Sequence, residues 1–419
     1  LQLAVNGVSG TGSLAGNFSQ MTVSGAASFA SNSNLSIVLS SGAAVFGGQT
    51  LAGVVSAGAI TTSGFTITDN SALVDFRYVT TAGSISLVAT TVINCGSLVG
   101  TYQLGPCQVG VGIPSLTVTG LGTISGGAQG INVLAANLTG RIINQGPVQG
   151  TATGIRFLGG ATLSGGITNS GLITGAAGVV YSSGVSGSVL RNLATGSIVG
   201  TNGVGVSINS GALLGSVNNA GSIDSLVVSG LVGNGVTNSG LLGTASGNIA
   251  LGVFGSGTLS GGFNNTGTVS AYYGVEVASN ALLQGGITNS GLIAGGATNR
   301  GIAIDSNGTV GGTITGGLRN SGQITGRTGV LVSNGLLDGG ISNSGSFVGG
   351  SGTITGYGVL VAGGTIGGIN NTTGGYISSI YNAGQVGNSG ALFGIDLSGS
   401  SIGGGITNSG LITAMNTEA

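Results

Sequence analysis

From about residue 140 onward, apolar and polar positions repeat around an asparagine. The phrase Gly-Ile-Thr-Asn-Ser-Gly-Leu-Ile stands at 166–173, 286–293 and 405–412. Taking the central Asn as origin, copies fall at Asn144, Asn169, Asn192, Asn219, Asn238, Asn265, Asn289, Asn320, Asn343, Asn371 and Asn408, about 26 residues apart on average. A degenerate copy is read around Asn382 in the longest interval. Two residues before the Asn every position is apolar, from Ile142 and Ile167 to Phe263, Ile287 and Ile406. One residue before, the positions are mostly polar: Thr168, Arg191, Asn218, Thr237, Asn264, Thr288, Arg319, Ser342, Asn370, Thr407. Four residues after, they are apolar again, as in Val148, Ile173, Leu242, Ile293 and Phe347. This alternation with period two predicts short strands, each with one buried face. The Asn-x-Gly core predicts a turn, because both residues tolerate positive φ.

A further strand precedes many of the motifs, as in Gly-Val-Glu-Val (274–277), Gly-Ile-Ala-Ile (301–304) and Gly-Val-Leu-Val (329–332). Each period then holds about three short strands and no helical pattern. Such a unit cannot bury its apolar face alone, but stacked copies can. The predicted fold is all-β: a right-handed parallel β-helix (β-solenoid) of about eleven coils, roughly 4.8 Å apart. The recurrent Asn is expected either to form a ladder of side-chain amides or only to supply turn geometry. Residues 131–419 read as regular β-helix repeats. Residues 1–130 read as an irregular β-rich region with hairpin excursions, since Met21–Phe29, Ser36–Phe46 and Ser84–Ile93 alternate only in part.

Composition narrows the function. Charged residues are 4% of the chain, against roughly a quarter in an ordinary domain. All seven basic residues are Arg, and Lys and His are absent. Without a basic patch, neither nucleic acid nor an anionic membrane surface is an expected partner. Gly accounts for 93 of 419 residues, but without a three-residue period this is not collagen. Mean hydropathy is +0.54, yet polar residues and Gly interrupt every apolar run, so no membrane-spanning helix is expected. The chain opens at Leu1 with no signal-peptide pattern, which reads as a processed or excised segment.

The phrase Gly-Gly-Ile-Thr-Asn-Ser-Gly-Leu-Ile-Thr-Gly resembles the β-helical passenger regions of Gram-negative autotransporters and related secreted adhesins. The resemblance covers residues 140–419 well and the first 130 only in texture. It implies the exported part of such a protein, without the translocator barrel. It also implies a secreted or outer-surface location and a structural or adhesive role in aggregation or biofilm. Host or neighbouring-cell glycans are the further partners it suggests. The strand-like ends, Leu1 to Val5 and the last repeat, carry no visible cap. Either the native chain continues beyond both ends or neighbouring molecules stack there; with a net charge of -1, homotypic contact, end to end or lateral, in a fibre or surface layer is the expectation, and a longer single chain is the alternative.

Candidate chemistry is sparse. Cys95 and Cys107 are an even, close pair that fits one disulfide in an oxidising compartment, with two buried thiols as the alternative. Passengers of the resembled kind also keep Cys pairs close. No metal site or cofactor is expected, since two Cys and no His give too few ligands. With neither His nor Lys as base, Ser or Cys nucleophilic catalysis is not expected and the chain is not read as an enzyme. The one catalytic alternative is a carbohydrate-active β-helix using Glu276 and Asp305. Their offsets from Asn289 and Asn320 place them on adjacent coils, two residues out of register, on one outward face. A diagonal of about 7–8 Å would suit an inverting glycosidase. The plainer reading is solvated surface charge, with Arg300 the nearest cation in sequence and Tyr272 and Tyr273 the only aromatics near Glu276.

Overall fold

The structure, a computed structural model, describes residues 1–5, 18–31, 33–39, 50–63, 65–69, 74–91, 107–109, 115–118, 120, 123–125, 127–134, 137–244, 247–306, 311–350, 357–373, 376–377, 380–383, 395–398, 401–403 and 405–412. Cys95 and the side chain of Cys107 lie outside the described part, and so does the expected disulfide.

Among the described residues there is no helix, and parallel strands stack in coils of about 26 residues to form a β-solenoid. A regular coil holds four strand segments. In one coil these are Thr258–Leu259, Phe263–Asn265, Thr268–Ser270 and Tyr273–Ala278. The first two join one long sheet and the last two the other. The two-residue segment is the one the alternation did not reveal, being too short to show a period. Coils pair in register: Phe263 lies opposite Ile287 and Asn265 opposite Asn289, while Val275 lies opposite Ile302.

The two sheets face each other across a dry core. The apolar column two residues before the Asn is buried from Ile142 to Ile369, as is the column four residues after it. Two copies reach that second column by a longer turn. After Asn192 the place is taken by Ile198, which stacks between Ile173 and Ile223. After Asn371 it is taken by Ile377, opposite Phe347. The corner thus absorbs extra residues without disturbing the core register.

Two glycine features need different explanations. Gly285 and Gly286, between two strands of one sheet, have φ of 88° and 76°, a region that L side chains rarely enter. Gly291, in the Asn-x-Gly core, is not among the positive-φ residues, and neither is Asn289. The expected positive-φ turn is therefore corrected: Gly is needed there because a Cβ would run into the Gly267 carbonyl oxygen of the coil below.

The reading of Asn382 is also corrected. It lies in the strand Ile380–Ala383, opposite Val361 in the other sheet. Asn371 pairs directly with Asn408. Among the described residues the long interval holds an extra strand in one sheet, where Ile380–Ala383 pairs with Ile395–Ser398.

Tyr181 and Phe157 stack in the core with ring centroids 4.8 Å apart. The Tyr181 hydroxyl is fully buried and has no hydrogen-bond partner, and burial pushes its pKa up. An unmet buried hydroxyl costs free energy that an apolar group of the same shape does not. Tyr181→Phe is therefore expected to leave stability unchanged or raise it by about 1 kcal/mol. Chemical denaturation of both proteins checks this.

Nearer the N-terminus, Gln2–Val5, Asn34–Leu39 and Thr66–Asp69 form a parallel sheet. Met21–Phe29 pairs in parallel with Thr50–Thr62. Val74–Thr80 and Ser84–Thr91 add an antiparallel hairpin to that second sheet.

Candidate functional site

Two polar features stand out: a chain of buried amides and a cluster of charged groups on one outer face. The amide chain joins the Asn residues of the repeat. Asn144 Nδ2 donates to Asn169 Oδ1 at 2.7 Å, and Asn169 to Asn192 at 2.8 Å. The chain runs on through Asn219, Asn238, Asn265, Asn289, Asn320, Asn343 and Asn371 to Asn408, every step 2.7–2.9 Å. Each donor lies on the lower-numbered coil, so the amides align in one direction. The same Nδ2 groups also reach backbone carbonyls: Asn265 donates to Gly267 O at 3.2 Å and to Leu292 O at 3.1 Å. The amide thus satisfies the corner carbonyls of its own coil and the next. Asn144 to Asn371 are buried; Asn408 is exposed. At the head of the chain Asn144 Oδ1 has no partner, because the coil below places Val118 there.

The charged cluster sits on the strands Tyr273–Ala278 and Arg300–Asp305. Val275, Val277, Ile302 and Ile304 point into the core, which turns Glu276 and Asp305 to the outer side. Glu276 lies opposite Ala303, and Asp305 opposite Ala278. The two acids are thus on adjacent coils, offset by two residues. Below Glu276 stands Gly252, over which the Phe254 ring folds: a Cβ on Gly252 would meet that ring. Glu276 is only 5% exposed, so the reading of solvated surface charge is corrected for this residue. The residues opposite it on the two adjoining coils, Gly252 and Ala303, are both small.

Arg300 joins the cluster from the start of its strand. Its Nη1 donates to Tyr273 Oη at 2.9 Å and to Asn299 Oδ1 at 3.1 Å, and its guanidinium lies 5.6 Å from the Tyr273 ring centroid. Asn299 is buried, with its Nδ2 unpartnered, and Asp305 Oδ1 is buried without a partner as well. Burial, followed by the Asp305 charge, pushes the Glu276 carboxyl up to about 7, with Arg300 opposing. Burial also raises Asp305, again against Arg300, and Tyr273. Tyr272 is 46% exposed at the rim and packs edge-on to Tyr273 at 5.3 Å. The sequence did not suggest Asn299; a polar pair, Asn299-Arg300, directly before an apolar strand is the signal that could have marked it.

These shifts give stability a sign with pH. The folded-state pKa of Glu276 lies above its ordinary 4.5, so the folded chain holds this proton more tightly. Its contribution to stability is complete below about 4.5 and is lost as pH rises through about 7. Glu276→Gln is expected to raise stability above pH 7 by roughly 2 kcal/mol and to flatten the pH dependence between those values. Denaturation midpoints across pH check this.

The remaining acids are scattered. Asp224 accepts from the Gly200 N–H at 3.0 Å, and Asp338 from the Gly339 N–H at 3.0 Å. The side chains of Asp69, Asp75, Asp396 and Glu418 lie outside the described part. Asp338 and Arg319 border a hollow of about 600 Å³ floored by the glycine pairs at 316–317, 339–340 and 367–368. Among the described residues no group of three or more His, Cys, Asp or Glu is placed to hold a metal, and no helix is long and apolar enough to cross a membrane. Neither a family model, nor a curated protein, nor a solved structure matches this chain.

Proposed function

We propose that this chain is a secreted or cell-surface structural β-solenoid with an adhesive role that associates with copies of itself. The observation that carries this reading is the outer strip beside the amide ladder. Arg191, Asn218, Thr237, Asn264, Thr288, Arg319, Ser342 and Asn370 are exposed on successive coils, roughly 4.8 Å apart. They form a long, mostly neutral surface of small hydrogen-bonding groups on a stiff frame. With seven basic and eight acidic residues in the whole chain, little self-repulsion opposes lateral contact. The likeness of the repeat phrase to autotransporter passengers supports export and surface location. Catalysis is not part of the proposal.

Sedimentation velocity over a wide concentration range tests the association. The expected result is a weight-average mass that climbs with concentration, with rods or bundles in electron micrographs. A single monomeric species throughout would refute self-association.

A further inference from the structure

Five Asn-Gly pairs occur in the chain, at Asn6, Asn202, Asn234, Asn307 and Asn334. In such a pair the glycine has no side chain to shield its backbone nitrogen, which can then reach the asparagine Cγ. Asn6 and Asn307 lie outside the described residues. The other three pairs have different surroundings. Gly235 is buried, and a Cβ there would meet the Gly261 and Gly262 carbonyl oxygens at 2.7 Å. A Cβ on Gly335 would meet Ile304 Cγ2 at 2.7 Å and the Gly312 carbonyl oxygen at 3.0 Å. At Gly203 the same point has no atom within 4 Å.

Gly203 belongs to a bulge in the strand Ser197–Ile208. Gly175 lies opposite Gly200 and Ala177 opposite Val204, which leaves Thr201, Asn202 and Gly203 against Ala176 alone. Pairing with the coil above stops at Ile198 and resumes at Val206. Asn202 is exposed. The ladder asparagines are held in the opposite way. The N–H groups that follow them are engaged, Ser170 to Asn144 O, Ser290 to Asn265 O and Ser321 to Asn289 O. Their side-chain amides are bonded to the next coil as well.

We propose that Asn202 is a site of spontaneous deamidation with water as co-reactant, and the described Asn-Gly pair that reacts first in the folded chain. The Gly203 nitrogen gives its proton to hydroxide and bonds to Asn202 Cγ. The Cγ–Nδ2 bond breaks as Nδ2 takes a proton from water and leaves as ammonia, which restores the hydroxide. Water then opens the cyclic imide. Addition at Cγ gives aspartate; addition at the Asn202 backbone carbonyl gives isoaspartate, in which the chain runs through Cγ. Either product adds one negative charge to a chain whose net charge is -1. The longer backbone of isoaspartate falls in an unpaired bulge, so the core register is kept. The bulge stands in the other sheet from the exposed strip of Arg191 and Asn218, so access to Asn202 does not depend on self-association.

The test is incubation of the whole folded chain in mildly alkaline buffer made with heavy-oxygen water, followed by peptide mass analysis that separates aspartate from isoaspartate. Labelled product should form at residue 202 roughly tenfold or more faster than at 234 or 334, because those two sites must first open locally. No label is expected at Asn169, Asn289 or Asn320 over that time. In denaturant the three Asn-Gly pairs should react at similar rates. Asn202→Gln, which would need a larger ring, should lose the product with circular dichroism unchanged. Equal rates at the three pairs in the folded chain, no product at 202, a ladder asparagine reacting first, or the same lead of 202 in denaturant would overturn the proposal.

Discussion

Replacing Asn265 by alanine should cost about 4 kcal/mol, far more than removing one neutral hydrogen bond. Its Nδ2 donates to Asn289 Oδ1, Gly267 O and Leu292 O, and its Oδ1 accepts from Asn238. Alanine leaves Asn289 Oδ1 with no donor and strips Asn238 of one acceptor. It also removes the amide donor from the half-buried Gly267 and Leu292 carbonyls, of which Gly267 O keeps the Leu292 N–H. Each orphaned buried group costs about 1–3 kcal/mol. The same substitution at Asn144 should cost about half as much, because its Oδ1 has no partner to lose. Denaturation of the two variants beside the parent chain measures the difference. Equal, small losses would mean that the amides are not coupled.

Ile287→Asp should be more damaging still, at about 5 kcal/mol or more. Ile287 is 2% exposed and lies between Phe263 and Leu318 on the adjoining coils, so an acid there has neither water nor a partner. Solenoid coils contact mainly their neighbours, so the loss should start locally, as faster hydrogen exchange in the strands 263–265, 287–289 and 318–320. Thr288→Asp, one residue on and exposed, should change stability by less than about 0.5 kcal/mol. A tolerated Ile287→Asp would show that the inward face has been misassigned.

The parts of this fold legible in the sequence are those enforced once per coil. A position such as Ile287 is apolar in every copy because all copies enter the same dry column. An outward neighbour such as Thr288 is free to be Arg, Asn or Ser. The Asn column is legible for a related reason: an amide both donates and accepts, so it can stack on its own kind without end. What the columns did not show was set by single coils. The corners after Asn192 and Asn371 are longer, and nothing in their residues says that Ile198 and Ile377 regain the register. Asn382 imitates the motif while standing in the opposite sheet. Gly291 was expected to serve a positive φ, whereas its constraint is the Gly267 carbonyl of the coil below, a contact about 24 residues distant in sequence.

The charged cluster was legible as a pair and not as an environment. Spacing alone places Glu276 and Asp305 on neighbouring coils. It does not say that Phe254 folds over Gly252, or that Arg300 turns to Tyr273 and Asn299. Nor does it say that Glu276 is only 5% exposed, a buried acid rather than a solvated one.

The central claim is the coil-on-coil register, and paired cysteines test it most directly. In a background with Cys95 and Cys107 replaced by serine, Thr288→Cys with Arg319→Cys places two thiols on outward residues directly opposite each other. Thr288→Cys with Ser342→Cys places them two coils apart, since Arg319 lies opposite Ser342. Directly opposed residues fall within disulfide reach, whereas a two-coil gap of about 9–10 Å does not. Mild oxidation at high dilution, followed by peptide mass analysis, should give an intramolecular crosslink in the 288/319 pair and none in the 288/342 pair. Crosslinking of the second pair and not the first would contradict the register and the solenoid built on it.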